Sequence, residues 1–474
     1  MSLLGSSQFY AEHVKIYPQR VLGRFRVIKW SALAALLAIY YLVPWIRWDR
    51  GIGRPDQAVL IDMPGRRAYF FWIEIWPQEV YYLAGLLILG AIGLFLATSL
   101  LGRVWCGFTC PQTVWTDLFM QVERWIEGDR NARVKLDKEP LSFRKIRLKV
   151  TKHVAWLLIA AATGGAWVMY FNDAPKLAAD LIHFRVGTAQ LGFIGLFTAT
   201  TYLLAGWARE QVCIYMCPWP RFQSAMFDEH SLLVTYEVWR GEPRGKMKAK
   251  ETDKLGDCID CNLCVNVCPT GVDIRNGQQL ACIGCGLCID ACNSVMSKIS
   301  RPLELITYDS LSNSAARAAG KPPKFKFVRV RTMIYAAGLV VVASAMLYML
   351  STRATVDVAV QADRSPLFVK LENGDIQDGF TLKISNHTAQ PVEYRVSIED
   401  KPEMTLKLIG ADPQSVKVMG DSVGTFRMLI KTPRKGLQRK ANTLTISAVN
   451  VATGEESHHA AIFHGPGGEN GEED

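Results

Sequence analysis

Apolar residues in this chain fall into long uninterrupted blocks. Five stretches, 30–46, 80–102, 154–172, 186–208 and 332–352, contain no Asp, Glu, Lys or Arg, and each runs for 17 to 23 residues. At about 1.5 Å per helical residue, that length crosses a hydrocarbon core of about 30 Å. One such block would suit a buried helix of a large soluble protein; five predict an integral membrane protein with five transmembrane helices. The first is the shortest and contains Pro44, yet Trp30, Tyr40, Tyr41 and Trp45 supply interfacial anchors at its ends. It does not read as a cleaved leader, because 29 polar or mixed residues precede it and "RWDRGIG" follows without a small-residue cleavage site.

Past residue 353 the pattern changes to alternation. Short runs such as "TVDVAV", "FTLKISN", "YRVSI", "TFRMLIK" and "NTLTISAV" are separated by Gly, Asn, Asp and Pro. About nine of them between 353 and 464 predict an antiparallel, immunoglobulin-like β-sandwich without the disulfide. The acidic, Gly-rich tail 465–474 is expected to be disordered.

Charge sets an orientation. Lys and Arg number five in 1–29, five in 47–79, eleven in 103–153, two in 173–185 and seventeen in 209–331. The positive-inside rule then places 1–29, the basic loop 103–153 and 209–331 on the cytoplasmic side of the membrane. Five crossings put the sandwich in the periplasm. The net charge of +10 is accounted for by membrane-flanking residues, so no nucleic-acid partner is needed. All twelve cysteines lie in 103–153 and 209–331, the compartment where thiols stay reduced.

Eight of them declare their chemistry. "CIDCNLCVNVC" (258–268) and "CIGCGLCIDAC" (282–292) both have the Cys-x2-Cys-x2-Cys-x3-Cys spacing of bacterial ferredoxins with two 4Fe–4S clusters. In such modules the fourth cysteine crosses over. One cluster would use Cys258, Cys261, Cys264 and Cys292, and the other Cys282, Cys285, Cys288 and Cys268. Pro269 follows the first run as the pattern prefers, whereas Asn293 follows the second. Paired Cys-x2-Cys motifs also bind zinc, but eight cysteines in this duplicated register favour an inserted ferredoxin-like module over 250–300. No acid/base pair, phosphate loop or dinucleotide fingerprint accompanies it, so the electron donor would be another protein or a quinol.

The other four cysteines form two Cys-x3-Cys-Pro motifs, Cys106 with Cys110 and Cys213 with Cys217, each just beyond an apolar stretch. Cysteines four apart would share one helical face, and proline next to the second suits the first turn of a new helix, whose dipole favours thiolate at Cys110 and Cys217. Four soft sulfurs could serve copper, another iron–sulfur centre or a redox thiol pair; packing at helix ends is the plainer alternative. Met216 is a possible thioether ligand.

"GRVWCGFTCPQTVWTDLF" (102–119), "CIYMCPWPRFQSAMFDEHSLLVTY" (213–236) and the double ferredoxin run resemble the FixG/CcoG-type cytochrome c oxidase accessory proteins, and the likeness spans nearly the whole chain. The resemblance implies a membrane polyferredoxin that serves assembly of a cbb-type haem–copper oxidase by reducing Cu(II) to Cu(I). It implies two 4Fe–4S clusters on the ferredoxin cysteines, copper handling at the membrane-edge pairs, and oxidase subunits or copper-delivery proteins as partners. A quinol-oxidising respiratory subunit and an assembly scaffold are the competing functions.

Histidines add little. His387, His458, His459 and His464 lie in the predicted sandwich, where "SHHAAIFH" reads as an alternating strand or, more boldly, as a copper receiver. His13, His153 and His183 are scattered, and His230 follows the second Cys-Pro motif. "RGEPRGKMKAK" (240–250) is expected to solvate a linker and touch anionic lipid.

Overall fold

All five apolar stretches are helical in the computed structural model, which describes residues 15–51, 54–246, 255–352, 356–388, 390–399, 403–420, 422–433, 437 and 440–466. Residues 247–250 of the basic linker, the start of the expected module at 250–254, His13 and the tail beyond 466 lie outside the described residues. The chain forms two compact units, Met1–Met346 and Leu347–Asp474.

Four helices are long and apolar enough to cross a membrane: Arg24–Trp45, Val80–Leu101, Thr188–Ala208 and Val330–Ser351. The stretch 154–172 has a mixed setting. It forms the C-terminal part of a 27-residue helix, Phe143–Met169, whose first turns carry Arg144, Lys145, Arg147, Lys149 and Lys152. Ser142 starts this helix by accepting the Lys145 backbone N–H at 3.2 Å. Replacing Ser142 by Ala is expected to cost about 1 kcal/mol, seen as a thermal midpoint lower by about 2–4 °C in detergent. Further along, a Cβ on Gly164 would meet the Ile194 carbonyl oxygen at 2.7 Å, so glycine allows the close crossing with the Thr188–Thr201 helix.

The segment 103–153 is folded rather than a loop. Pro111–Glu127 and Arg130–Lys138 are helices, and the first buries Val114, Asp117, Phe119, Met120, Glu123 and Glu127 along one face. Its acidic residues gather the nearby cations. Glu123 meets Arg133 at 3.0 Å, Arg209 at 3.1 Å and Lys152 at 3.5 Å, while Asp117 meets Arg26 at 3.0 Å and Lys29 at 3.9 Å. Several of the cations counted as membrane-flanking are therefore buried ion-pair partners.

The same holds in 47–79, which builds a three-stranded antiparallel sheet from Val59–Asp62, Arg67–Phe70 and Ile73–Ile75. Arg50 donates to the carbonyls of Pro55, Gln57, Ala58 and Phe71 at 2.7–2.8 Å. Its charge serves local structure, which explains why this segment blurs the Lys/Arg contrast.

In the second unit, two antiparallel sheets face one another. One runs Thr405–Ile409, Ser422–Thr432, Ile376–Asn386, Val356–Ala362, with Val369–Lys370 also on Ile376–Asn386; the other runs Val416–Val418, Val392–Glu399, Ala441–Asn450, Glu456–His464. Alternate residues Ile376, Phe380, Leu382 and Ile384 meet Tyr394, Val396, Met428, Ile446 and Phe463 in a closed apolar core. The nine alternating runs expected from the sequence fall on these nine strands.

Candidate metal centres

The two ferredoxin loops share a backbone design. Asp260 and Asn262 in the first adopt left-handed φ of 53° and 56°, and Gly284 and Gly286 at the matching positions of the second adopt 70° and 71°. Each loop then enters a helix, Leu263–Asn266 or Leu287–Lys298. Left-handed residues suit glycine, so the first loop needs support. Arg275 provides it, reaching Asp260 Oδ1 at 2.6 Å, Asn262 Oδ1 at 2.5 Å and Asp273 Oδ2 at 2.7 Å. Strand Leu233–Tyr236 pairs antiparallel with Ile306–Asp309 and joins the segments entering and leaving the region.

The sulfurs gather in two crossed sets. Cys258, Cys261, Cys264 and Cys292 line one cavity, with Tyr236 and Arg275 in its wall. Burial pushes the Cys282, Cys285 and Cys288 thiols upward, and Cys268 adds to the push on each of the three, with Lys29 opposing it at Cys285. The Val272 N–H donates to Cys268 Sγ at 3.3 Å. Eight thiols, of which Cys258, Cys264 and Cys285 are buried and Cys261 is exposed, form an all-sulfur donor set that fits 4Fe–4S clusters.

The two membrane-edge motifs are built alike. Four residues before the first cysteine, Gly102 (φ 62°) and Arg209 (φ 40°) break the preceding helix with left-handed backbone. A wide turn follows in each, closed by the Cys110 N–H on the Trp105 carbonyl and by the Cys217 N–H on the Val212 carbonyl, both at 2.8 Å. This π-turn replaces the α-helical register expected from the four-residue spacing. Cys110 caps the Pro111–Glu127 helix, as expected. After Cys217, Pro218 is the cap and the Trp219–Met226 helix starts one residue later.

The fold brings the two motifs together. Cys106 and Cys213 share an apolar cluster with Ile283, Cys285 and Leu287 of the second ferredoxin loop. Burial pushes the Cys106 and Cys213 thiols up to about 12, and Cys110 and Cys217 act on both in the same direction. Thiolate at these two positions therefore needs a compensating cation. Cys106 Sγ donates to Gln223 Oε1 at 3.3 Å. Met216 is 63% exposed and faces outward.

Contact with the ferredoxin region is direct. A Cβ on Gly107 would lie 3.0 Å from the Ile283 carbonyl oxygen and 3.1 Å from Cys285 Cα. Arg103, 5% exposed, donates to the carbonyls of Gln279 (3.2 Å), Leu280 (2.5 Å) and Cys282 (2.5 Å). On the other side, Asp290 accepts the Phe25 and Arg26 backbone N–H groups at 3.2 and 2.8 Å and so caps the first membrane helix. Sequence reasoning passed over Lys29, Arg103, Asp117, Glu123 and Gln223. The available signal was charge at the edge of an apolar block and acidic residues in an amphipathic helix.

The remaining candidates do not converge. His153 stacks on Trp207 and lies 2.9 Å from Tyr202 Oη, and His230 lies 3.4 Å from Glu229. His458 is exposed and sits beside Glu399 and Glu456, whereas His459 follows it on the opposite strand face. Arg240 pairs with Asp257 at 2.8 Å and donates to the Pro302 and Leu303 carbonyls.

Four apolar helices, crossed cysteine sets and a β-sandwich define a membrane-associated iron–sulfur electron-transfer protein. Comparisons agree. A 4Fe–4S binding domain family matches residues 83–131, a 4Fe–4S dicluster domain family matches 208–311, and the Ig-like C-terminal fold of FixG, described as a putative oxidoreductase, matches 346–466. The chain is 46% identical to protein RdxB of Cereibacter sphaeroides, with 98% of each chain covered. It is 44% identical to nitrogen fixation protein FixG of Rhizobium meliloti (97% of this chain, 94% of that one) and 47% identical to RdxA of Cereibacter sphaeroides (90% and 92%). The chain belongs to the FixG/RdxA/RdxB family.

Proposed function

We propose that this protein passes single electrons from its ferredoxin region to the membrane edge and there reduces Cu(II) to Cu(I), in support of assembly of a cbb-type cytochrome c oxidase. The observation that carries this reading is the seating of the Cys106–Cys110 turn on the Ile283–Cys285 backbone, where even a Cβ on Gly107 would meet backbone atoms at 3.0–3.1 Å. In this reading Cys258, Cys261, Cys264 and Cys292 hold one 4Fe–4S cluster and Cys282, Cys285, Cys288 and Cys268 the other. Such clusters, when bound, take up and release one electron at a time. The chain's own part is to exclude water from the sulfurs, to hold the two cysteine regions in register through Arg103 and Asp290, and to keep the route short. Each Cu(II) consumes one electron, with no bond to carbon made or broken.

Five crossings, with the N-terminus and all twelve cysteines cytoplasmic and the sandwich periplasmic, follow in this reading from the Lys/Arg distribution. The sandwich then offers a docking surface to oxidase subunits or copper-delivery proteins. The test mixes anaerobic, dithionite-reduced protein with Cu(II) and follows cluster bleaching against Cu(I) formed. One Cu(I) per electron lost is expected. Cys213→Ala and Cys217→Ala variants that reduce copper as fast as the parent would remove the edge cysteines from the route.

A second reading, a quinol-oxidising subunit, is favoured by an apolar cavity beside Cys110 lined by Tyr40, Pro111, Gln112, Trp115, Thr163 and Trp167. It requires rapid reduction of the purified protein by a quinol analogue; no reduction sinks it.

A further inference from the structure

We propose that Cys106, Cys110, Cys213 and Cys217 together hold a third 4Fe–4S cluster, half of it supplied by each Cys-Pro turn. The 4Fe–4S binding family matched over 83–131 finds only two cysteines there, Cys106 and Cys110, which is half of a cubane's thiolate set. The fold supplies the other half. The two turns are structural copies, each with a left-handed break, a π-turn and a cysteine before proline, and the partly buried Cys213 packs against the apolar cluster that contains buried Cys106. Between them they offer four sulfurs of one kind from two equivalent hairpin-like turns.

Sulfur spacing chooses among the metals these thiols could take. A single tetrahedral ion with metal–sulfur bonds of about 2.3 Å draws its sulfurs to about 3.8 Å from one another. Among the described residues, the one group of three or more His, Cys, Asp or Glu ligand atoms within 4.8 Å of one another is Glu399, Glu456 and His458. No three of the four edge sulfurs therefore lie within 4.8 Å of one another, and the same holds of the eight ferredoxin sulfurs. A cubane bonds each thiolate to a different iron corner and so wants this wider spacing.

Charge supports the same centre. Lys29, 2% exposed, acts on Cys213 and on Cys285, and Arg103 acts on Cys106 and on Cys282. Each buried cation thus faces a cysteine of the edge site and one of the ferredoxin loop. Four thiols give up their protons and form four Fe–S bonds, and the two cations offset the negative charge that results. This assignment goes beyond the copper reading and does not depend on it: copper would be an external acceptor, and the resident group at the edge would be iron–sulfur.

Iron and acid-labile sulfide counted per chain in anaerobically purified full-length protein, with EPR during graded dithionite reduction, tests the assignment. About twelve irons are expected. The Cys213→Ser/Cys217→Ser variant should retain about eight and lose one EPR signal, with the other two signals unchanged. About eight irons in the parent overturns the proposal, as does stoichiometric copper in place of the last four irons or a variant that loses no iron. If the variant loses all its iron by unfolding, the parent's count still decides. Cu(II) reduction is read in a separate assay, so failure of one proposal is distinguishable from failure of the other.

Discussion

Replacing Glu123 by Ala is expected to destabilise the membrane unit by about 3–5 kcal/mol, the cost of leaving buried charge without its partner. Glu123 is 2% exposed and serves three cations at once: Arg133, 1% exposed, Lys152 and Arg209. Its removal takes the carboxylate from Arg133 and Arg209 and leaves Lys152 with Glu127 alone. Arg209 matters most for the site, because it holds the left-handed break before Cys213, its Nε donating to the Gly206 carbonyl at 2.8 Å and its guanidinium lying 5.0 Å above the Trp156 ring. The loss should appear as a lower thermal midpoint in detergent and as faster loss of iron. Glu123→Gln keeps the volume and removes the charge, and adding Arg133→Met should restore part of the stability.

The same carboxylate carries a pH dependence with a definite sign. Burial pushes Glu123 upward, but Arg209, Lys152 and Arg133 outweigh it and hold the group at about 2. An unfolded Glu titrates near about 4.3. Because the folded value is the lower one, the stability from this group is complete above about pH 4.3 and fades as pH falls toward about 2. Glu127, 3.0 Å from Lys152, shares one of the cations and is present in both proteins. The difference in midpoint between parent and Glu123→Gln should therefore be full at pH 7 and close through that acid window. Acid loss of clusters affects both alike and cancels. A difference that stays constant down to pH 2 would show that the charge is not what Glu123 contributes.

Leucine in place of Gly107 is the second large effect. Even a Cβ there meets backbone atoms of 283–285 at 3.0–3.1 Å, and backbone cannot swing away as a flexible side-chain end can. The longer side chain must separate the edge turn from the ferredoxin loop. A displacement of about 1 Å costs a positioned reaction on the order of 100-fold. Re-oxidation of the reduced protein by Cu(II) should slow by about that factor while iron per chain in the ferredoxin region is retained. An unchanged rate with unchanged iron would take this contact out of the electron route.

Much of this was legible in the chain. The cubane spacing of 258–268 and 282–292 is local, because short loops and left-handed residues within a dozen positions bring three of four sulfurs to one side. Four of the five apolar blocks declare, through length and composition, helices able to cross a membrane, and alternation after residue 353 declares strands. Less was legible in 103–153 and 47–79, where charge was read as surface. Arg50 instead satisfies carbonyls of its own segment, and Arg133 and Lys152 satisfy carboxylates, and nothing in residue type distinguishes a solvated arginine from a buried paired one.

By itself, then, the sequence determined the long apolar helices, the sandwich strands and the cubane spacing of eight cysteines, since each rests on a pattern within one helix, strand or loop. Tertiary structure alone decided which elements meet. It set Gly107 on the Cys285 loop, placed Lys29 and Arg103 between two cysteine sites, and opposed turns more than a hundred residues apart in the chain. Such contacts depend on how helices cross and which buried charges find partners, and those are properties of packing that no local pattern encodes.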